Sequence, residues 1–234
     1  METVSIIIPA YNEAKTLAEL VRRIVRVRFP VDYEIILVDD HSQDRTPEIM
    51  RLLGQEYASG KIRVLHNDRN RGKGYSILRG LHYARGDIVV VQDADFEYAP
   101  SELPRLLEPI LARKTDVVFG SRFLGRRFPQ GMALPNFLAN VFLTGLTNLL
   151  YGTRLTDMET CYKLVRRDLM GSLNLSAQRF DFEPEITAKL AKRKVTILEL
   201  PIGFSGRTAS EGKKIKARDF FIALRVLWIN RFGP

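Results

Sequence analysis

The sequence predicts an α/β fold built on an open, mostly parallel β-sheet flanked by helices. Three observations carry this prediction. Five short runs rich in β-branched residues recur along the first half, stretches with apolar residues at helical spacing separate them, and acidic or polar residues follow several of the runs at once. Alternation of this kind builds parallel sheets with crossover helices. Ligands on such sheets gather at the carboxyl ends of the strands.

The runs are Val4–Ile8, Ile35–Val38, Ile62–Leu65, Ile88–Val91 and Val117–Phe119. They are too short for helices and too continuously apolar for half-exposed strands, so they read as buried parallel strands. Between the first two, Leu17, Leu20, Val21, Ile24 and Val25 mark a helix, with Asn12 placed as its N-cap. Asp44 to Pro47 opens the next crossover. Ile77, Leu78 and Leu81 mark another helix, and Leu103, Leu106, Leu107, Ile110 and Leu111 a further one behind a Ser101 cap.

The second half is less regular. No charged residue occurs from Phe128 to Thr153, and within that span Asn136, Asn140, Thr144, Thr147, Asn148 and Tyr151 form one helical stripe. This reads either as a helix at a membrane surface or beside a lipid chain, or as an ordinary buried helix. A polar, basic loop covers Ser205 to Lys216, and Phe220 to Phe232 returns to aromatic and aliphatic residues interspersed with Arg225 and Arg231.

The 234 residues suffice for one large domain or two small ones, and 45% hydrophobic residues suffice for a packed core. The chain enters its first apolar run almost at once, which argues against a secretory leader. The single cysteine, Cys161, fits a reducing, cytosolic setting. A formal charge of +9 favours anionic partners: nucleic acid, phosphorylated substrates or an anionic membrane surface. No uninterrupted apolar run reaches the ~20 residues of a transmembrane helix.

Four motifs carry chemistry. Asp93-Ala94-Asp95 follows the fourth run, where alternate side chains of an extended segment face the same way. Paired carboxylates suit a hard divalent cation, Mg²⁺ or Mn²⁺, that also holds a diphosphate, and Glu97 is placed as a third ligand. The bland reading is a solvated acidic turn. Pro9-Ala10-Tyr11-Asn12-Glu13 closes the first run with an aromatic, an amide and a carboxylate suited to a nucleobase and ribose; a helix cap with a surface tyrosine is the alternative. Asp39-Asp40-His41-Ser42 closes the second with acceptors for base N–H groups, or with simple turn chemistry. Asn70-Arg71-Gly72-Lys73-Gly74 reads as a glycine cradle for an anion at a helix N-terminus, with Lys73 adding charge.

In this order and spacing, the four motifs resemble those of family-2 glycosyltransferases of the GT-A fold. The nearer resemblance is to dolichol-phosphate mannose synthases and bacterial polyprenyl-phosphate glycosyltransferases. Gly120-Ser121-Arg122 resembles that group's acceptor-phosphate segment. Thr156-Asp157-Met158-Glu159-Thr160-Cys161-Tyr162-Lys163 is similar to its Asp-containing segment, and Gly206-Arg207-Thr208 with Glu211-Gly212-Lys213-Lys214 to its basic loop near the donor diphosphate. Phe96-Glu97 departs from the Leu-Gln usual in mannose synthases, which weakens an assignment to mannose.

The resemblance implies an inverting transfer of a sugar, mannose or glucose foremost, from a nucleotide-diphosphate donor to a polyprenyl phosphate. Pro9, Tyr11, Asn12, Glu13, Asp39, Asp40, Lys73, Asp93 and Arg207 are the expected donor contacts. Asp93, Asp95 and Glu97 are the expected metal ligands, and Asp95 and Arg122 the catalytic pair. Ser121, Arg122, Arg126 and Arg127 are the expected acceptor-phosphate contacts, Arg126 and Arg127 having a solvated turn as their alternative. A hydroxyl acceptor would instead need a base among Asp157, Glu159 and Glu183, since a phosphate monoester with a second pKa near ~6 is already ionised. No DNA- or RNA-binding motif is present, so nucleic acid is not expected as a partner. Residues 1–218 are expected to form the catalytic domain and 219–234 a membrane-proximal amphipathic helix. Taken as complete, the chain would be peripheral at the cytoplasmic face of a membrane, or anchored by a separate subunit.

Overall fold

The computed structural model describes residues 2–57, 60–125, 129–206 and 217–233. The five predicted runs become β1 (Thr3–Ala10), β2 (Asp32–Asp39), β3 (Ile62–His66), β4 (Ile88–Val91) and β5 (Val117–Ser121), all pointing the same way. Ile6, Ile7, Ile8, Ile35, Ile36, Ile88 and Val117 are fully buried, because helices cover both faces of the sheet. These helices are α1 (Leu17–Arg26), α2 (Thr46–Glu56), α3 (Lys73–Tyr83) and α4 (Leu103–Leu111).

Two strands escape the sequence pattern. β6 (Lys163–Arg166) runs antiparallel between β4 and β5, and β7 (Ile197–Pro201) pairs with the far side of β5. Among the described residues the sheet order is β3-β2-β1-β4-β6-β5-β7. The order reverses between β2-β1 and β4, so a crevice opens at the carboxyl ends of β1 and β4. α6 (Arg167–Ser172) and α7 (Phe182–Lys192) separate the last two strands.

The uncharged stretch forms α5 (Leu134–Tyr151) and is turned inside out. Thr147 is fully buried and Thr144 nearly so, while Leu149 is 82% exposed and Leu134, Leu138, Val141 and Phe142 also face outward. The inward polar groups have partners: Thr144 accepts the Met158 N–H, and Asn148 Oδ1 accepts the Leu155 N–H and the Thr153 hydroxyl. α8 (Ala217–Phe232) packs against α5 and α7 through a small core of Leu143, Met158, Ala188, Ala223 and Leu227. The Tyr151 hydroxyl donates to the Leu227 carbonyl at 2.6 Å. Outward from α8 project Phe221, Trp228, Ile229 and Phe232.

Two expected caps are corrected. α1 starts five residues after Asn12, which instead sits at φ 52° and joins the β1 and β2 loops: its side-chain oxygen accepts the Gln43 N–H and its N–H donates to Ser42 Oγ. Ser101 lies within a 3₁₀ turn, Pro100–Glu102, that leads straight into α4.

Candidate active site

A cavity of about 1010 Å³ opens at the crevice. Pro9 at the end of β1 lines it, with Tyr11 and Glu13 just after that strand and Asp40 just after β2. Asp39 is buried beside it rather than in its lining, with its carboxylate accepting the Ser42 N–H at 3.1 Å and lying 3.3 Å from His66 Nδ1. Asp40 accepts from Asn67 Nδ2 and the backbone N–H groups of Arg71 and Gly72, at 2.7, 2.8 and 2.7 Å. A carboxylate offers about four acceptor sites. Asp40 therefore spends most of its capacity shaping the glycine loop.

The anion cradle expected at that loop is not formed. The Gly72 N–H points at Asp40, and the Gly74 and Tyr75 N–H groups donate to the Arg179 and Gln178 carbonyls. The glycines serve close approach: a Cβ on Gly72 would lie 2.5 Å from the Gln178 carbonyl oxygen, and one on Gly74 2.8 Å from Ala177. Gly74→Ala is expected to cost roughly 1–3 kcal/mol, because backbone must move to admit the methyl. Urea unfolding checks this; unchanged stability would show that the 177–179 segment yields freely.

What this loop brings to the cavity is Lys73. Its ammonium lies 2.7 Å from Asp93 and 2.9 Å from Glu183. Burial works against the charge, but Asp93, Cys161 and Glu183 outweigh it and hold the lysine pKa well above its ordinary value. Asp93, Asp95 and Glu97 all line the cavity after β4. Asp95 is buried, and its Oδ1 accepts the Glu97 N–H at 3.0 Å. Among the described residues no three His, Cys, Asp or Glu side chains stand close enough to hold a metal ion by themselves. The donor set still suits a Mg²⁺ or Mn²⁺ ion that takes one or two carboxylates and completes its shell with substrate phosphate oxygens and water.

Across the cavity stands Arg122. Its Nε and Nη2 form a bidentate pair with fully buried Asp157, both at 2.7 Å, and Nη2 also donates to Asn140 Oδ1 at 3.0 Å. Burial opposes the charge, yet Asp157 raises the guanidinium pKa above normal. Ser121 does not reach the cavity. It is fully buried, and its hydroxyl shares a 2.6 Å bond with Thr156 and accepts the Phe123 and Leu124 N–H groups, which shapes the turn after β5. Arg126, Arg127 and Arg207 lie outside the described residues.

Glu159 and Glu183, read from sequence only as alternative bases, line the cavity between these two ends. Burial raises the Glu159 carboxyl to about 7; Glu183 and Asp157 push it the same way, against Lys163 and Arg122. Lys163 is buried under the floor, donating to the Met158 and Thr160 carbonyls, and burial lowers its pKa. The Glu159 shift has a stability consequence. Between its unfolded value of 4.5 and about 7 the folded protein keeps a proton that the unfolded chain has lost. Stability then falls as pH rises through that window and stays lower above it. In metal-free protein, Glu159→Gln is expected to remove a loss of up to about 3 kcal/mol between pH 5 and 8. Parallel pH–stability curves for the two proteins would contradict this.

A mostly parallel sheet with acidic, cation-compatible residues at its switch point defines an α/β domain whose site lies at the carboxyl ends of the strands. The chain belongs to the glycosyl transferase family 2, whose model matches residues 5–173. It is 30% identical over 227 residues to the dolichol-phosphate mannosyltransferase of Pyrococcus furiosus, covering 96% of this chain and 62% of that protein. It is 31% identical over 215 residues to the undecaprenyl-phosphate 4-deoxy-4-formamido-L-arabinose transferase of Edwardsiella ictaluri, covering 91% and 63%. The chain thus spans less than two thirds of these relatives' length. Its GT-A fold matches glucosyl-3-phosphoglycerate synthase of Mycobacterium tuberculosis solved with Mn²⁺, UDP and glucosyl-3-phosphoglycerate (TM-score 0.71, 20% identity, 99% of this chain, 80% of the other). It also matches mannosyl-3-phosphoglycerate synthase of Rubrobacter xylanophilus (TM-score 0.74, 22% identity, 97% and 73%).

Proposed function

We propose that the chain transfers a sugar, mannose or glucose foremost, from a nucleotide-diphosphate donor to a polyprenyl phosphate. The observation that carries this reading is one cavity with an acidic, lysine-containing end at β4, a guanidinium end at β5, and an exposed apolar helix along its rim. Leu138 and Phe142 of α5 line the cavity and also reach solvent. A lipid tail can therefore lie on α5 while its phosphate enters beside Arg122 and Asn140. A lipid phosphate stands in the names of both relatives given above, which supports this reading.

Asp95, with Asp93 or Glu97, would hold the divalent ion, which offsets charge on the departing diphosphate. Lys73 adds a second positive charge there. Tyr11 and Glu13 border the nucleoside end, and Asp40 keeps the loop bearing Lys73 in place. The acceptor phosphate is ionised at neutral pH and needs no base. The Arg122 Nη1 group takes no part in the pair with Asp157 and can donate to that phosphate.

The exposed faces of α5 and α8 favour a peripheral seat on a membrane. Phe221, Trp228, Ile229 and Phe232 would enter the interface while the exposed Arg218, Arg225 and Arg231 meet anionic headgroups. In this reading residues 1–218 are the catalytic domain and 219–234 its membrane-proximal segment, to which an anchoring subunit could add. No helix among the described residues is long and apolar enough to cross a membrane.

The test is a panel of nucleotide sugars, with and without polyprenyl phosphate, read by mass spectrometry. The expected product is an organic-extractable glycosyl phosphodiester labile to mild acid. A stable water-soluble glycoside formed without lipid phosphate would defeat the proposal. It would turn attention to Glu159, whose pKa of about 7 suits a base for a hydroxyl acceptor.

A further inference from the structure

Glu159 presents a problem that the proposed chemistry leaves unanswered. Its Oε1 is buried and has no hydrogen-bond partner among the described residues. An unpaired buried carboxylate oxygen is costly, so such a group ordinarily awaits a donor. Transfer to a lipid phosphate needs no base, and the cation-holding residues are on another loop. Position narrows the choice. Asp157, two residues earlier, holds Arg122 of the acceptor end, and Cys161, two residues later, lies beside Asp93 of the donor end. Glu159 thus stands between the two ends of the cavity. Glu183 joins it there, its Oε1 accepting a hydrogen bond from Lys73 Nζ.

The molecule between a departing diphosphate and an incoming phosphate is the sugar itself. We infer that Glu159 and Glu183 grip the donor sugar by accepting hydrogen bonds from its ring hydroxyl groups, and so select a sugar that retains those hydroxyls. The chemistry is matched: carboxylates accept only, and ring hydroxyls are the neutral donors that a sugar offers. Neither a second phosphate nor an acidic ligand fits beside these two carboxylates. This inference rests on the glycosyltransferase reading and assigns its sugar subsite.

Calorimetric titration of wild type and Glu159→Gln at pH 8 with Mn²⁺ tests it, using GDP, UDP, GDP-mannose and UDP-glucose. The amide keeps the shape of the side chain, and thermal unfolding confirms the fold. The expected result is an unchanged affinity for the free nucleotide and a loss of about ten- to a hundredfold for the nucleotide sugar, the size of a hydrogen bond to a charged group. Equal weakening of both would place Glu159 with the diphosphate and overturn the inference. Unchanged affinity for both with lost turnover would make Glu159 a base and also overturn it. Failure of wild type to bind any of the four would overturn the glycosyltransferase reading and this inference together.

Discussion

Asp95→Ala is expected to lower sugar transfer by roughly a thousandfold or more while the protein stays folded. The size follows from what a bound cation supplies to a departing diphosphate, several kcal/mol at one decade per ~1.4 kcal/mol. The fold should tolerate the change, because a hydrogen bond such as the one this carboxylate accepts from the Glu97 N–H is worth only about 1 kcal/mol. Lys73 keeps its pair with Asp93 in the variant, so the cavity retains its shape. Transfer assays with added Mg²⁺ or Mn²⁺ and a parallel urea melt check both halves. Wild-type activity that survives exhaustive EDTA treatment would remove the cation from the mechanism.

Arg122→Ala should have the largest effect on stability, about 3–5 kcal/mol, because it strands the fully buried Asp157 carboxylate. Against a typical total of ~5–15 kcal/mol, that loss alone depresses activity. The single variant therefore cannot separate phosphate binding from folding. The double variant Arg122→Met with Asp157→Asn can, since it neutralises both members of the pair. It is expected to recover most of the stability and none of the transfer. Recovery of both would confine Arg122 to supporting the turn after β5.

The legible part of this molecule is the part governed by local pattern. β1, β2, β4 and β5 stood out because burial on both faces demands unbroken apolar runs, and Asp93 and Asp95 because they follow such a run. β6 is hidden by Lys163 and Arg166 at its ends; the buried lysine is accommodated by the Met158 and Thr160 carbonyls and by the Phe119 ring. β7 is hidden by Glu199, whose carboxylate turns out to hold the Thr156 and Asp157 N–H groups. Gly72 and Gly74 misled because an anion cradle and a close backbone crossing ask for the same residue. Ser121 misled because a hydroxyl beside an arginine looks like a phosphate contact until Thr156 is seen to occupy it. Each of these misses involves a partner distant in sequence: Arg179 for Gly74 and Thr156 for Ser121. The Asn/Thr stripe of α5 was visible, but that its polar side faces inward could be seen only once Met158 and Leu155 were placed against it.

The reversed strand β6 also imposes an order of assembly. β1 to β4 pair among themselves within residues 3–91, and so can close as soon as that length of chain exists. β5 has no such option: its neighbours are β6 and β7, both later in the chain. Until residue 166 has left the ribosome, Val117–Ser121 is an apolar strand with two unsatisfied edges, the kind of segment that recruits other chains. The β1–β4 part of the sheet can thus form early, whereas Arg122 and Asp157 meet only when β6 is inserted between two strands that precede it. Insertion of so late a segment into the middle of a sheet carries a high loop-closure cost and is intrinsically slow. The two halves of the sheet therefore have different birthdays, and the window between them is when this chain is most exposed to misassembly.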